Sequence, residues 1–261
     1  GPDRVRRFAE YVQAIDPYDH PITVHSAGNP LEALRFTFGD PRFSLTSIQL
    51  GQNRIDSLTE QFREATAKAG RPLPVSMDEF TLDKGQDKGH IPVDDARRWR
   101  VEKLWPTYLS GGNIEFILGD LLETESFKTP EREKLWAYVL YARKFLEALP
   151  YWEMQPADPL VTGAATISVT QNRGRKTYSM GAQVFSKLPE IYAVYLPKAE
   201  GRAALDLSDA PGQYRLRWYN PRTGEFEGPP VDLSGGTTVP LGKPPREPGA
   251  DWAVLIERTP S

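Results

Sequence analysis

The run Pro72-Leu73-Pro74-Val75-Ser76-Met77-Asp78-Glu79-Phe80 decides the fold of this chain. It is a short apolar strand that is entered through prolines and ends on two adjacent carboxylates. Two other apolar runs also end on polar groups, at Ile22-Thr23-Val24-His25 and Leu45-Thr46-Ser47-Ile48-Gln49. A loop and helical sequence separate each of these from the next strand. Strands with polar C-terminal ends, joined through helices, are the pattern by which a parallel β/α barrel builds an active site.

The first 150 residues alternate between helical and strand patterns. For example, residues 3–15 place Val5, Phe8, Val12 and Ile15 on one face of a helix. The same reasoning predicts helices over residues 3–15, 53–69, 94–109 and 130–149, and strands over residues 22–26, 44–49, 73–79 and 114–118. The sequence therefore predicts four consecutive β/α units.

After Pro150 the pattern becomes all-β. The turn Asn220-Pro221-Arg222-Thr223-Gly224 separates two alternating runs, as Asn, Pro and Gly favour tight turns. Short strands are predicted over residues 166–170, 190–196, 202–207, 213–219 and 252–257. Strands at this spacing favour a small antiparallel sandwich of about 100 residues. Trp218 and Tyr219 alternate on one of these strands, which leaves one of them as a candidate exposed aromatic.

Composition excludes several classes of function. The net charge is −3, without a long run of either sign, so neither nucleic acid nor an anionic membrane is the expected partner. No apolar run reaches the length of a membrane span. Because the chain has no cysteine, disulfides, thiolate catalysis and cysteine-ligated zinc are excluded. The 6 Trp and 11 Tyr suit a carbohydrate-binding surface, but composition alone favours the simpler account that they fill a core and a sandwich.

Several motifs together resemble one known family. The run from Phe8 to His25, FAEYVQAIDPYDHPITVH, resembles a signature of bacterial glycoside-hydrolase-like proteins. In these proteins a TIM barrel is followed by a β-sandwich that carries the label of a collagen-binding domain. Later segments fit the same pattern in the family's order and extend it over nearly the whole chain: Met77-Asp78-Glu79, Gly111-Gly112-Asn113-Ile114-Glu115-Phe116, Leu149-Pro150-Tyr151-Trp152-Glu153-Met154, Ile191-Tyr192-Ala193-Val194-Tyr195-Leu196-Pro197 and Arg217-Trp218-Tyr219-Asn220-Pro221-Arg222-Thr223-Gly224.

The resemblance implies an α/β half of a TIM barrel followed by an all-β antiparallel sandwich. In such barrels the fourth strand ends on a glutamate that acts as general acid/base, and in this family it lies just upstream of the helix at residues 3–15. The four predicted strands would then be the fifth to eighth. The domains would be residues 1–150 and 151–261. The resemblance also implies a bacterial protein that is secreted or periplasmic, although the first residues show no apolar segment of a signal peptide.

A half-barrel carries a physical cost. Parallel strands buried on both faces leave apolar edges when the sheet stops at four strands. We therefore expect a partner chain, a symmetric copy in a homo-oligomer or a rearranged segment to cover strands 22–26 and 114–118. The alternative is a small open α/β sheet that does not need eight strands.

Glu79 is the candidate catalytic residue. It ends the predicted third strand, where the resemblance places the nucleophile of a retaining glycosidase; an ordinary strand-end carboxylate is the alternative. Asp78 points to the other face of the strand and is predicted to pair with an arginine or a backbone amide, although a one-residue error in the register would exchange it with Glu79. His25 and Gln49 end neighbouring strands and could bind sugar hydroxyls or orient Glu79, or simply be a satisfied buried histidine and a loop-closing glutamine.

Two further carboxylates are candidate substrate-binding residues. Glu115 lies in the middle of a strand that is predicted to be buried. It could act as a second active-site acid or form an internal salt bridge. Asp120 follows Gly119 at the rim and could bind substrate or cap a helix. The polar loop at residues 83–90 matches no calcium loop and is predicted to be a solvated rim, so no metal or other cofactor is expected. Trp99 and Trp105 are assigned to packing of helices on the barrel.

Three functional hypotheses follow. The first is a glycoside hydrolase, retaining in mechanism, that acts on a polysaccharide or oligosaccharide and takes its acid/base from a segment outside this chain. The second is a non-catalytic module that binds carbohydrate or protein on a degenerate barrel. The third is a sandwich that only closes the barrel. Glu79 and the polar strand ends favour the first hypothesis, whereas the missing fourth-strand glutamate favours the second.

Overall fold

A computed structural model describes residues 1–26, 28–49, 54–79, 95–115, 129–171 and 176–260 of the chain. Within these residues the α-helices are α1 (Pro2–Ile15), α2 (Pro30–Ala33), α3 (Ile55–Lys68), α4 (Ala96–Trp99), α5 (Trp105–Leu109) and α6 (Pro130–Glu147). The strands are β1 (His25–Ser26), β2 (Thr46–Gln49), β3 (Val75–Glu79), β4 (Gly112–Ile114), β5 (Gln155–Pro156), β6 (Val161–Thr162), β7 (Ile167–Gln171), β8 (Lys176–Met180), β9 (Gln183–Lys187), β10 (Ile191–Leu196), β11 (Ala204–Asp206), β12 (Gln213–Asn220), β13 (Glu225–Ser234), β14 (Thr238–Pro240) and β15 (Trp252–Arg258).

The first four strands form a parallel sheet in the order β1-β2-β3-β4, with helical segments between successive strands. Ile48, Val75 and Met77 are buried on one face of this sheet, where they share a core with Phe62 of α3 and Trp99 of α4. This arrangement confirms the predicted alternation of strands and helices. β1 is shorter than predicted, with two residues. β4 begins at Gly112, two residues before the predicted start, and residues 116–118 of the predicted strand lie outside the described residues.

The helix predicted over residues 94–109 is interrupted. A π-helical turn, Arg100–Leu104, separates α4 from α5. Pro106 supplies the physical reason, since its missing N–H cannot bond to the carbonyl one turn earlier and its ring crowds that carbonyl. α6 begins as predicted, with Pro130 in its first turn and the Thr129 side chain accepting a hydrogen bond from the Arg132 N–H at 3.3 Å.

The second part of the chain forms antiparallel sheets. Six strands lie in the order β13-β12-β15-β10-β9-β5, three in the order β14-β11-β6, and β7 pairs with β8 in a separate hairpin. Alternate residues of β10 enter different cores. Tyr192 and Val194 face the three-stranded sheet, whereas Ala193 and Tyr195 face the helices. β10, inside the six-stranded sheet, is therefore buried on both faces.

The contact between helices and the six-stranded sheet is aromatic. Trp105 of α5 stacks on Tyr195 with ring centroids 5.1 Å apart and planes at 6°, and Phe145 of α6 lies 4.9 Å from Tyr219. Met154, which follows α6, is also buried in this contact. Trp105 differs from its prediction, because it packs on the antiparallel sheet and not on the parallel one. Trp218 and Tyr219 are both buried, on opposite faces, so neither is an exposed platform.

No helix in the described residues is long and apolar enough to cross a membrane.

Candidate active site on the parallel sheet

The face of the parallel sheet that points away from the helices is polar. Side chains on a strand alternate between its two faces, so the residues between the buried apolar ones share the other face. We call this set the polar face; it comprises His25, Ser47, Ser76, Asp78 and Asn113. Ser47 and Ser76 are buried, whereas His25 and Asn113 are exposed. Within the described chain, this is the surface of the parallel sheet on which polar groups from all four strands converge.

The strand register brings the predicted site residues to one end of the sheet. His25 is paired with Ser47, Ser47 with Ser76, and Gln49 with Glu79. Because the strands are parallel, His25, Gln49 and Glu79 all lie towards the C-terminal ends of adjacent strands. The backbone of Glu79 therefore sits beside that of Gln49, while the Glu79 side chain lies outside what the structure describes.

A bulge interrupts the ladder between β2 and β3. Between the two matched pairs that flank the bulge, β2 advances from Ser47 to Gln49 while β3 advances from Ser76 to Glu79, so β3 contains one additional residue. Bulges re-aim the side chains around them and are common beside active sites. Here the bulge falls on the Met77-Asp78-Glu79 segment that carries the candidate nucleophile.

Three side chains of the polar face are linked across three strands. The Ser47 hydroxyl donates a short hydrogen bond to Asp78 Oδ2. His25 Nδ1 lies 3.0 Å from Ser47 Oγ and 3.4 Å from Asp78 Oδ1. The His25 side chain is 44% exposed and that of Asp78 is 19% exposed, so the chain of contacts runs from the open face into the sheet.

This network corrects one expectation. The sequence predicted that Asp78 pairs with an arginine or a backbone amide, whereas its contacts are Ser47 and His25. Ser47 was not singled out at all. The available signal was its position two residues before Gln49, which places both on one face of β2, but the neighbour across the sheet depends on the register.

The remaining candidates are Glu115 and Asp120. Glu115 follows β4 directly and is exposed, whereas a buried position was predicted; the rest of the predicted strand lies outside the described residues. Its backbone N–H donates to Met77 O at 2.9 Å, so the parallel ladder continues to this residue. Asp120 and the loop at residues 83–90 lie outside the described residues. Among the residues that the structure describes, no group of three or more His, Asp or Glu side chains is arranged to hold a metal ion.

Comparison with known proteins places the fold. No profile of a protein family matches the chain, and no curated protein sequence matches it either. A solved structure described as a glycoside hydrolase superposes with a TM-score of 0.63 at 14% identity, covering 97% of this chain and 61% of its own. A glycoside hydrolase family 5 structure from Bacteroides vulgatus superposes with a TM-score of 0.66 at 15% identity, covering 97% of this chain and 59% of its own.

The chain has a glycoside-hydrolase-like fold. At such low identity the likeness concerns the fold and not the activity. The chain spans about three fifths of the length of these two structures.

Proposed function

We propose that this chain is the C-terminal part of a retaining glycoside hydrolase that acts on a polysaccharide or oligosaccharide. One observation carries the proposal. His25, Gln49 and the backbone of Glu79 lie together at the C-terminal ends of three adjacent parallel strands, in a chain whose fold resembles glycoside hydrolases. Active sites of β/α barrels are built at this end of the strands.

Glu79 is the nucleophile in this proposal. Its carboxylate attacks the anomeric carbon and forms a glycosyl-enzyme intermediate, which water then hydrolyses. The acid that protonates the leaving group must lie about 5–5.5 Å from the nucleophile. We assign that acid to a segment outside this chain. Glu115 is the rival acid, since it is exposed and follows the neighbouring strand. His25 and Gln49 bind substrate hydroxyls in the same cleft, and Asp120 is retained as a candidate at its rim.

The proposal divides the chain into a half-barrel at residues 1–150 and a β-sandwich accessory domain at residues 151–261. Two antiparallel sheets that share one core support the second assignment. The label of collagen binding is not part of the proposal. We also propose that the protein acts outside the bacterial cytoplasm, because its polymeric substrates are found there.

A further β/α segment of the same gene product should complete the sheet. β1 and β4 each have one strand neighbour among the described strands. The Glu115 N–H bonds to β3, so by alternation the peptide groups of Ile114 face the open side of β4. A cleft of about 380 Å³ lies beside β4 and is bordered by Arg143, Glu147 and the exposed Trp152. An incoming strand would meet both an edge with no strand neighbour among the described residues and this cleft.

The helix α1 supports the same proposal. Phe8, Tyr11 and Ile15 are 60%, 62% and 60% exposed, at spacings that put them on one side of α1. α1 precedes β1 and α6 follows β4, so both ends of the sheet already carry a helix. If a second copy of this chain completed the sheet, its α1 would follow α6, so two helices would lie between neighbouring strands where a barrel has one. We therefore propose that the sheet is completed by a segment that begins and ends with a strand.

Charge substitutions on α1 test this completion. In the chain alone, Phe8→Asp and Ile15→Asp should change the unfolding free energy by less than about 0.5 kcal/mol, because both side chains are exposed. In the full-length gene product the same changes should cost about 2 kcal/mol or more, since they would bury a charge. Gln13→Asp, also exposed on α1, is the matched control. Equal small effects in both proteins, or a dimer of the chain alone that Phe8→Asp dissociates, would overturn the proposal.

A substrate panel tests the activity itself. The full-length gene product is assayed on aryl glycosides and polysaccharides, and the anomeric configuration of the product is read by NMR. Turnover with retained configuration is expected. An inverted product would remove Glu79 as a nucleophile, and binding without turnover would favour the second candidate, a non-catalytic carbohydrate-binding module. What favours this candidate is that the proposed mechanism takes its acid from a segment outside this chain.

A further inference from the structure

Ser47 is the central member of the network on the polar face. It is buried, and a buried hydroxyl normally has hydrogen-bond partners. Its single proton is directed to Asp78 Oδ2. The Ser47 oxygen is then left with lone pairs only, and these face His25 Nδ1 at 3.0 Å. An ionised carboxylate also only accepts, and Asp78 Oδ1 lies 3.4 Å from the same nitrogen.

We infer that Ser47 and Asp78 are positioning residues that fix His25 with its proton on Nδ1. Two acceptors converge on Nδ1, so that nitrogen must be the donor. The other ring nitrogen, Nε2, is then the acceptor of the neutral ring. The role of this tautomer rests on the proposed function. In that function His25 Nε2 accepts a hydrogen bond from a substrate hydroxyl in the cleft.

The burial of Asp78 Oδ1 favours a hydrogen bond donated to it by His25. This oxygen is buried and accepts no hydrogen bond of good geometry from the described residues. A buried carboxylate oxygen in this state is costly, and the cost falls when a donor approaches. His25 Nδ1–H is the donor within reach, so the carboxylate favours both this tautomer and a ring rotation towards β3.

The tautomer of His25 tests the inference without any assay of activity. The chain has 3 histidines, and His25→Gln identifies the His25 resonances. In two-bond ¹H–¹⁵N correlation spectra of the neutral ring, the unaltered protein should show the Nδ1–H form. Ser47→Ala and Asp78→Asn should each shift the population towards Nε2–H, because the first removes an acceptor at Nδ1 and the second replaces one carboxylate oxygen by an N–H donor.

Matched variants separate positioning from simple support of the fold. Ser47→Thr keeps the hydroxyl on a β-strand and should preserve the Nδ1–H form. Ser76→Ala removes a buried hydroxyl from the same face but not from the three-residue network, and should leave the tautomer unchanged. Backbone spectra establish that each variant is folded.

The outcomes are distinguishable from those of the proposed function. An Nε2–H ring in the unaltered protein, or the same tautomer in Ser47→Ala and Asp78→Asn as in the unaltered protein, would overturn the inference. If the tautomer responds as expected, the positioning is established at the level of the ring. An inactive full-length protein would then count against the hydrolase proposal alone.

Discussion

Arg100 and Asp251 form a bidentate ion pair between the helices and the antiparallel sheet. Arg100 Nε and Nη2 donate to the two carboxylate oxygens at 2.9 and 2.8 Å, and both side chains are 2% exposed. The Tyr195 hydroxyl also donates to Asp251, at 3.0 Å. Burial raises the pKa of Asp251, but the hydrogen bonds and charge of Arg100 outweigh it, so the net direction is downward. The pair therefore remains ionised.

Loss of this pair should be strongly destabilising. Asp251→Asn leaves the buried Arg100 charge uncompensated, and breaking one side of a buried pair typically costs about 3–5 kcal/mol. Urea unfolding measures the loss. The control is Asp232→Asn, which breaks an exposed pair with Arg215 at 3.1 Å and should cost less than about 1 kcal/mol. Similar values for the two variants would contradict a structural role of the buried pair.

Gly224 should resist substitution for two separable reasons. Its φ is +76°, and a Cβ there would overlap the ring of Tyr141 on α6. Gly242 has a similar φ of +78° but nothing within 4 Å of its Cβ position. Gly242→Ala should therefore report backbone strain alone, about 1 kcal/mol. Gly224→Ala should cost about 1–3 kcal/mol more, because the ring must move. If Gly224→Ala and Gly242→Ala lowered Tm equally, close contact between the turn at Gly224 and Tyr141 of α6 would be contradicted.

Local patterns were sufficient to predict most of the elements but not all of their boundaries. The helices and the strands of the parallel sheet follow from apolar spacing and from caps such as Thr129-Pro130. β13 was missed because it contains Gly228, Pro229 and Pro230, which indicate a loop; these residues are tolerated because β13 is an exposed edge strand. Burial of both Trp218 and Tyr219 depends on cores on both sides of the sheet, which a single strand does not reveal.

The site could be predicted only in part for a similar reason. Parallel strands place their C-terminal ends together, so the convergence of His25, Gln49 and Glu79 follows from the sequence of elements. The partners of Asp78 depend instead on how β3 is offset against β2, and on the additional residue in β3. A one-residue change in that offset exchanges the faces, so no local pattern could have identified Ser47 as its donor.

Asp158 should make stability depend on pH. Burial raises its pKa from the ordinary 3.8 to about 7, and the charges of Glu60 and Asp56 add to this, against a hydrogen bond from the Val184 N–H at 2.6 Å and the charge of Arg54. Between these two pH values the folded protein binds a proton that the unfolded chain has released. Protonation of Asp158 therefore contributes fully to the free energy of unfolding below pH 3.8. This contribution, up to about 4 kcal/mol, is lost as pH rises towards 7.

The Asp158→Asn variant tests this dependence. It keeps an acceptor for Val184 but does not titrate, so its stability relative to the unaltered protein should increase between pH 5 and pH 8. Urea unfolding at the two pH values measures the difference. Asp206→Asn is the control, because hydrogen bonds from Ser208 lower the pKa of Asp206 from the ordinary 3.8, so its effect on stability should not change between pH 5 and pH 8. A constant difference for Asp158→Asn would show that this carboxyl is ionised in the folded state.

The Glu79→Gln change tests the proposed nucleophile in the full-length gene product. Glutamine keeps the size of the side chain but cannot form the glycosyl-enzyme intermediate. We expect kcat to fall on the order of 10³-fold or more while Tm changes little, because a side chain at the end of a strand contributes little to the core. Azide added to Glu79→Ala should restore turnover, since a small anion in the vacated space can attack the anomeric carbon directly. The resulting glycosyl azide should have inverted configuration. If Glu79→Gln retained full activity, or if azide rescued Glu115→Ala in this way and not Glu79→Ala, the nucleophile would have to be assigned elsewhere.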